Sequence, residues 1–156
     1  MTLPKKIADI LRDEATVKVL TTIDEKGMPH TVFKNSLTAL DNGMLAYMEL
    51  LETGQTQRNM LSSLWYDKSV VISILNTKSN ASYQIKGKPF RFLYNGPIWD
   101  EFLERTWKIM PDSDPAGVWM IKVVEVLNQD YRARREEEEE RILNLSIWRR
   151  YIGVRP

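Results

Sequence analysis

The sequence predicts a mainly β fold, a closed or nearly closed antiparallel barrel with helices inserted between its strands. Six segments have the β-branched or alternating composition of strands, and the first three follow one another through short turn sequences. Two helical segments separate the later strands. A doubly wound α/β sheet would instead alternate strands and helices throughout the chain.

Composition excludes several classes of chemistry. The chain has 156 residues, 43% of them hydrophobic and 28% charged, which suits one soluble domain. It has no cysteine and a single histidine, His30, so disulfides, thiol nucleophiles, cysteine-ligated metals and histidine clusters are excluded. We therefore expect no metal site, and chemistry that depends on carboxylates, hydroxyl groups or a bound cofactor.

Charge and hydropathy limit the partners and the location. The 22 basic and 21 acidic residues give a net charge of +1, unlike the basic surface of a nucleic-acid-binding protein. No apolar run is long enough to span a membrane, since about 18 residues would be needed. The basic start of the chain is not followed by the apolar region of a secretion signal. We expect a cytoplasmic protein without nucleic-acid or membrane partners.

The first 50 residues predict one helix and three strands. Residues 3–13 have apolar side chains at the spacing of a short amphipathic helix. A β-branched strand at 17–23 leads through turn residues into an extended run at 30–40. Asn42-Gly43 then predicts a type I′ turn before a strand at 44–50. These three strands should be consecutive and antiparallel.

The middle of the chain predicts two helices and three more strands. Thr53 is a candidate N-cap for a helix to Trp65, whose predicted apolar face contains Met60, Leu61, Leu64 and Trp65. Strands follow at 70–75 and 82–94, the second with a bulge at Gly87-Lys88-Pro89. The helix at 97–110 begins with a proline, and the last strand is 118–127. The apolar face predicted for that helix consists of Ile98, Trp99, Phe102, Leu103, Trp107 and Met110.

Residues 128–156 differ in composition from the rest of the chain and predict a charged C-terminal helical extension to a domain at 1–127. Glu136 to Glu140 are flanked by arginines, and apolar residues at helical spacing follow. A solvated helix face explains the charges most simply. The alternative is a helix that binds a partner through Trp148 and Tyr151.

One segment suggests phosphate binding. The common nucleotide, hydrolase, metalloprotease and calcium motifs do not occur. Gln55, Thr56, Gln57 and Arg58 open a helix directly after a strand and a glycine. Backbone N–H groups and the helix dipole favour phosphate at such a position, and Thr56 and Arg58 add a hydroxyl group and a positive charge. Simple capping of the helix is the alternative.

A second segment suggests a ligand or an interface. Lys34, Asn35 and Ser36 interrupt the apolar alternation of the extended run. Polar side chains in the middle of a barrel strand commonly serve a ligand or a partner. His30 follows a proline at the start of this run, and it is a weaker candidate for a catalytic base.

These features together resemble the split-barrel FMN-binding family, which includes pyridoxamine 5′-phosphate oxidase. The small FMN-binding proteins of anaerobic bacteria are the closer match. The resemblance covers about residues 3–129 and implies a six-stranded antiparallel split β-barrel with inserted helices and a C-terminal helical tail. It depends on the order of the elements and on five segments: 24–30, 32–36, 43–48, 54–60 and 83–89.

The resemblance also implies a cofactor, FMN, and its contacts. Where members often have lysine or arginine in the phosphate site, this chain has Gln55 and Thr56, and Arg58 or Lys34 is expected to compensate. Members pair as homodimers with flavin at the interface, which implies a homodimer here. The isoalloxazine ring would lie against Val32, Phe33, Lys34, Asn35, Ser36, Tyr47 and Met48, and the phosphate would meet Gln55, Thr56 and Arg58.

The expected function is that of an FMN-binding redox protein, a flavin reductase or NAD(P)H-linked oxidoreductase. It would use NAD(P)H or a redox partner protein. A non-enzymatic electron carrier or flavin store is the first alternative. Haem or a deazaflavin in the same fold, and a ligand-free interaction module, are further alternatives. Oxidation of pyridoxamine phosphate is disfavoured because the tail lacks that enzyme's arginine- and histidine-containing signature.

Overall fold

The computed structural model describes residues 1–151, with side chains as far as residue 143. This part of the chain forms one curled antiparallel sheet with four helices, which confirms the mainly β class. No helix in the described range is long and apolar enough to cross a membrane. The elements are α1 (Lys5–Arg12), β1 (Thr16–Ile23), β2 (Pro29–Phe33), β3 (Thr38–Ala39), β4 (Leu45–Glu49), α2 (Gln55–Trp65), β5 (Val70–Asn76), β6 (Ser82–Leu93), α3 (Pro97–Ile109), β7 (Gly117–Asn128) and α4 (Tyr131–Tyr151).

The sheet curls because its two edge strands are adjacent in the chain. The strand order is β2-β1-β5-β6-β7-β4-β3. Four residues, 34–37, connect β2 at one edge to β3 at the other, so the edges must approach each other. We call this connection the seam. It positions the candidate site, because it joins the two open edges of the barrel.

The extended run predicted at 30–40 is therefore wrong as a single strand. It forms β2 and β3, and the described sheet has seven strands where six were predicted. The Leu37 N–H donates to the Lys34 carbonyl at 3.0 Å, so the chain turns between the two strands. Extended composition does not show such a turn, because the residues on both sides of it still belong to a sheet.

Two local predictions need correction. The turn before β4 is not type I′, since only Gly43 has a positive φ, of 79°, and type I′ requires two such residues. The N-cap of α2 is Gly54 rather than Thr53, and no side chain caps this helix. The bulge predicted at Gly87 is confirmed by a register shift between Lys86 and Gly87.

The core has two parts, on opposite faces of the sheet. The barrel interior contains Leu20, Tyr47, Ile72 and Trp119, all fully buried. A smaller cluster lies on the outer face beneath α3, where Met48 of β4 packs with Phe102 and Val118. Alternation along β4 thus directs Tyr47 and Glu49 inward and Met48 outward.

The apolar helix faces predicted from sequence are only partly buried. Of the four residues predicted for α2, only Met60 is buried, whereas Leu61, Leu64 and Trp65 are exposed. The buried side of α2 is mostly polar, because the barrel interior offers hydrogen-bond partners there. On α3, Phe102 is buried and Ile98, Trp99 and Leu103 pack against the same cluster, whereas Trp107, and Met110 directly after the helix, are exposed.

The C-terminal helix α4 bears surface ion pairs. Arg134 contacts Glu137 at 2.9 Å and Arg135 contacts Glu139 at 2.8 Å. Glu136 to Glu140 thus lie on a solvated face of the helix, which confirms the simpler of the two interpretations. The side chains of Trp148 and Tyr151, named for the partner-binding alternative, lie outside the described residues. The division into a domain and an extension at residue 127 stays a prediction.

Candidate functional site

A cavity of about 960 Å³ lies between the seam and α3. Its walls come from the seam and the residues beside it, from the outer face of β4, from Arg12 of α1 and from α3. This volume is at the upper end of the range for small-molecule sites, about 300–1,000 Å³. Five of the ten predicted site residues line this seam cavity: Phe33, Lys34, Asn35, Ser36 and Met48.

The other two residues predicted to contact the ring lie behind the cavity wall. Val32 is half-buried and packs against the interior core, and Tyr47 is fully buried within it. Their inward direction follows from strand alternation, which places every second side chain on the other face of the sheet. Tyr47 nevertheless reaches the site indirectly, through Glu49.

Glu49 is a buried carboxylate that the sequence analysis missed. Both of its carboxylate oxygens accept hydrogen bonds from Lys34 Nζ, at 3.0 and 3.1 Å, and the residue is only 3% exposed. The Tyr47 hydroxyl donates to Oε2 at 3.4 Å, and the Leu50 N–H donates to Oε1 at 3.1 Å. Burial, together with the negative charge of Glu49, raises the pKa of Tyr47 well above its usual value. An acidic residue at the end of an otherwise apolar strand was the signal available in the sequence.

Ser36 closes the seam. Its Oγ accepts a hydrogen bond from the Met48 N–H at 3.0 Å and donates to the Met48 carbonyl at 3.5 Å. The Ser36 hydroxyl group therefore makes the hydrogen bonds to the Met48 backbone that a neighbouring strand would otherwise make. Asn35, its neighbour, is exposed, and its backbone carbonyl accepts a hydrogen bond from Lys18 at 3.4 Å.

The three residues predicted to bind phosphate lie at the start of α2, outside the seam cavity. Thr56 Oγ1 is 3.2 Å from His30 Nε2, which ties the helix to β2. The Arg58 guanidinium donates to the Thr53 carbonyl at 2.7 Å and to Gln55 Oε1 at 2.6 Å. His30 and Lys34 are four residues apart along β2, or about 13 Å at 3.3 Å per residue. The predicted ring and phosphate contacts thus lie near opposite ends of β2.

Solved structures with the same architecture support this description. HupZ of Group A Streptococcus matches with a TM-score of 0.64 at 18% identity, covering 83% of this chain and 96% of its own. An F420 reductase matches at 0.63 and 14%, covering 81% and 100%. An FMN-binding protein from Syntrophomonas wolfei matches at 0.62 and 14%, covering 80% and 87%.

The chain has the split-barrel fold. The resemblance inferred from its segments is thereby confirmed at the level of the fold, since identities of 14–18% carry no more than that. Neither the protein-family models nor the curated proteins contain a match to the sequence.

Lys18 is a second residue of this split barrel that the sequence analysis missed. It lines the seam cavity and is 8% exposed. Burial lowers the pKa of its ammonium group. On β1, Thr16, Lys18, Leu20 and Thr22 are the buried residues. The signal in the sequence was therefore alternation, which places a lysine on the same face as Leu20.

The other cationic side chains of the cavity have acidic partners. Arg12 contacts Asp41 at 3.2 Å, Lys34 contacts Glu49, and Arg105 contacts Glu101. No group of three acidic or histidine side chains within the described part of the chain could hold a metal ion. The site thus offers apolar walls, paired charges and one additional buried cation.

Proposed function

We propose that this protein binds FMN in the seam cavity and acts as a redox flavoprotein, as a flavin reductase or NAD(P)H-linked oxidoreductase. One observation carries the proposal: four consecutive residues of the predicted ring site, Phe33 to Ser36, line one cavity together with Met48. An FMN-binding protein and an F420 reductase with the same fold support it.

The residues present fit a flavin. Phe33 and Met48 offer apolar surface for a ring, and the seam exposes backbone and amide groups beside them. At the other end of β2, the first turn of α2 has no side-chain cap, which leaves its N–H groups for a phosphate. We infer that an elongated ligand with an aromatic end and an anionic end spans these two positions.

The protein's own part in the reaction is to bind and orient. A bound flavin supplies hydride or electron transfer. Phe33 and Met48 exclude water from one side of the cavity. Lys34 presents an ammonium group whose charge Glu49 balances, so it contributes a positioned hydrogen-bond donor more than a net positive charge. Glu49 in turn fixes the direction of that donor.

The proposal is tested by the visible spectrum of freshly purified protein, with mass identification of any released cofactor. We expect yellow protein that releases FMN. Phe33, which is 73% exposed, has no buried structural role, so Phe33→Ala should weaken FMN binding about tenfold, or about 1.4 kcal/mol, without unfolding the chain. Tyr131→Ala, which removes an aromatic ring of similar exposure on α4, is the control. Colourless protein that does not bind added FMN would overturn the proposal.

Turnover separates an enzyme from a carrier. Oxidation of NAD(P)H by the flavin-loaded protein supports an oxidoreductase. Stable FMN binding without NAD(P)H oxidation supports the electron carrier or flavin store. A deazaflavin is the second candidate ligand, because an F420 reductase shares the fold and F420 is a deazaflavin. Competition between FMN and F420 for the purified protein distinguishes the two ligands.

We also propose that the protein is a homodimer. Large apolar side chains are exposed around the seam cavity, among them Phe33 and Ile109, which is 81% exposed. Leu61, Leu64 and Trp65 form a further exposed apolar face on α2. A second copy that covers these surfaces would also shield a bound ring. Sedimentation equilibrium should give the mass of two chains, and a monomer at micromolar concentration would contradict this.

A further inference from the structure

The strongest unexplained feature of the molecule is the environment of Lys18. Its side chain is directed to the inner face of β1 and reaches the seam cavity, although it is more than nine-tenths buried. The Lys34 N–H donates to the Lys18 carbonyl at 3.0 Å, so the two lysines are neighbours across the β1–β2 pair. Two ammonium groups thus approach the same end of the barrel.

Only one of these two groups has a counter-charge. Both carboxylate oxygens of Glu49 accept hydrogen bonds from the ammonium group of Lys34. Lys18 makes one long hydrogen bond, 3.4 Å, to the Asn35 carbonyl, and no carboxylate of the described residues is within ion-pair distance of it. A lysine ammonium has three donors, so two of them have no acceptor among the described residues. A buried cation in this condition is less favourable than a paired one, and a bound anion would stabilise its charged form.

We propose that Lys18 binds the anionic group, a phosphate or carboxylate, of a second small molecule that enters the seam cavity beside the flavin. That this ligand is a second molecule, and not the flavin itself, rests on the proposed function, in which the flavin phosphate lies at the start of α2. Arg12 and Arg105 line the same cavity and provide positive charge at its rim, although Asp41 and Glu101 partly balance them. The ligand is therefore a small organic anion, the substrate or electron acceptor of the flavin reaction.

Two further observations agree with an anion site. The cavity is large enough, at about 960 Å³, for a second ligand fragment next to the wall formed by Phe33 and Met48. Burial lowers the pKa of Lys18, as expected for an ammonium group without a counter-charge. A bound anion reverses that shift, because it favours the charged form.

The test uses inorganic phosphate as the probe and the full-length chain freed of flavin. Isothermal titration should show a phosphate site that requires Lys18, in addition to any phosphate that binds at the start of α2. Lys18→Met, which keeps the length of the side chain and removes the charge, should weaken phosphate binding at least tenfold. Lys26→Met, in the exposed turn before β2, is the control with the same change in net charge and should bind phosphate as the parent does. Equal binding by Lys18→Met and the parent would overturn the proposal.

The stability of Lys18→Met checks that a loss of binding is not a loss of folding. Without phosphate, its melting temperature should equal or exceed that of the parent, because the substitution removes a buried unpaired charge. Added phosphate should raise the melting temperature of the parent more than that of Lys18→Met. A parent protein whose melting temperature does not respond to phosphate, and which binds none by titration, contradicts the proposal.

A third arm separates this proposal from the proposed function. Phosphate titrated into FMN-loaded protein should still bind, because the two anion sites are distinct. Displacement of the Lys18-dependent phosphate by FMN, but not by riboflavin, would assign Lys18 to the cofactor's own phosphate and overturn the second-ligand proposal. If FMN does not bind at all while Lys18 binds phosphate, the proposed function fails and the Lys18 site stands.

Discussion

The barrel interior has two polar regions, and they differ in how their groups are paired. Beneath α2, neutral side chains bind one another: Asn59 Nδ2 donates to Thr22 Oγ1 at 2.9 Å, and Trp119 Nε1 donates to Gln57 Oε1 at 2.7 Å. At the seam, the groups are charged, and Lys34 and Glu49 form a pair beside Lys18, which has no acidic partner in the described chain.

The difference indicates which region is structural and which is suited to ligands. A neutral buried group that has its hydrogen bond contributes to stability and needs no further partner. Ser63 Oγ is the exception beneath α2, as a buried oxygen without a partner among the described residues. Buried charges lose much of their hydration, so an additional cation that borders a cavity favours an anionic ligand. We therefore assign the buried side chains of α2 to holding the fold and the charged groups at the seam to binding.

Among the variants that test this difference, Glu49→Gln should have the largest effect on the free energy of unfolding. It removes the counter-charge of Lys34 and leaves two buried ammonium groups side by side. Breaking a buried ion pair in this way is expected to lower the free energy of unfolding by about 3–5 kcal/mol. Urea unfolding at neutral pH measures the change. The double variant Lys34→Met/Glu49→Gln should recover most of the loss, and a double variant as unstable as Glu49→Gln would show that the pair itself is not responsible.

Gln57→Met should have an intermediate effect in the neutral region. It keeps the volume of the side chain but leaves the buried Trp119 N–H without an acceptor. The expected loss is about 1–3 kcal/mol in the free energy of unfolding, with phosphate binding at Lys18 unchanged. Gln84→Met, at a half-buried glutamine on β6, is the control and should change stability by less than about 0.5 kcal/mol. A change in phosphate binding at Lys18 by Gln57→Met would contradict the division between the two regions.

Tyr47→Phe should have the smallest effect at neutral pH and a distinct effect in alkali. The folded protein raises the pKa of Tyr47 above 10.0, chiefly by burial and also through Glu49. The folded state therefore keeps this proton where the unfolded chain loses it, so Tyr47 makes stability fall as pH rises above about 10. Urea unfolding between pH 8 and 11 should show a steeper fall for the parent than for Tyr47→Phe. Parallel curves would contradict the assigned pKa direction.

Local signals in the sequence correctly predicted most elements. The helix at residues 3–13, the bulge at Gly87 and the proline at the start of α3 depend on nearby residues, and the structure has all three. The break between β2 and β3 was not predicted, because it depends on the edge of the sheet that the chain must reach. The face of α2 was also misassigned, and the predicted face of α3 extends too far, to Trp107 and Met110, since burial depends on what surrounds a helix and not only on its own periodicity.

The residues of the site were also predicted only in part. Polar residues that interrupt a strand led to Lys34, Asn35 and Ser36, which line one cavity. Glu49 and Lys18 were missed because each is an ordinary charged residue in its own segment. Only the approach of β1, β2 and β4 around the seam makes Glu49 the partner of Lys34 and leaves Lys18 without an acidic partner in the described part of the chain.

The sequence by itself determined the class of fold and the kinds of chemistry that remain possible, because composition, turn residues and hydrophobic periodicity act over a few neighbours. It also located a polar strand that differs from its surroundings. The tertiary structure alone decided which charges are paired, which apolar surfaces stay open and where the cavity lies. Those properties depend on contacts between residues distant in the chain. Burial of a lysine is compensated where a carboxylate lies beside it, as Glu49 lies beside Lys34, and favours a bound anion where no carboxylate does.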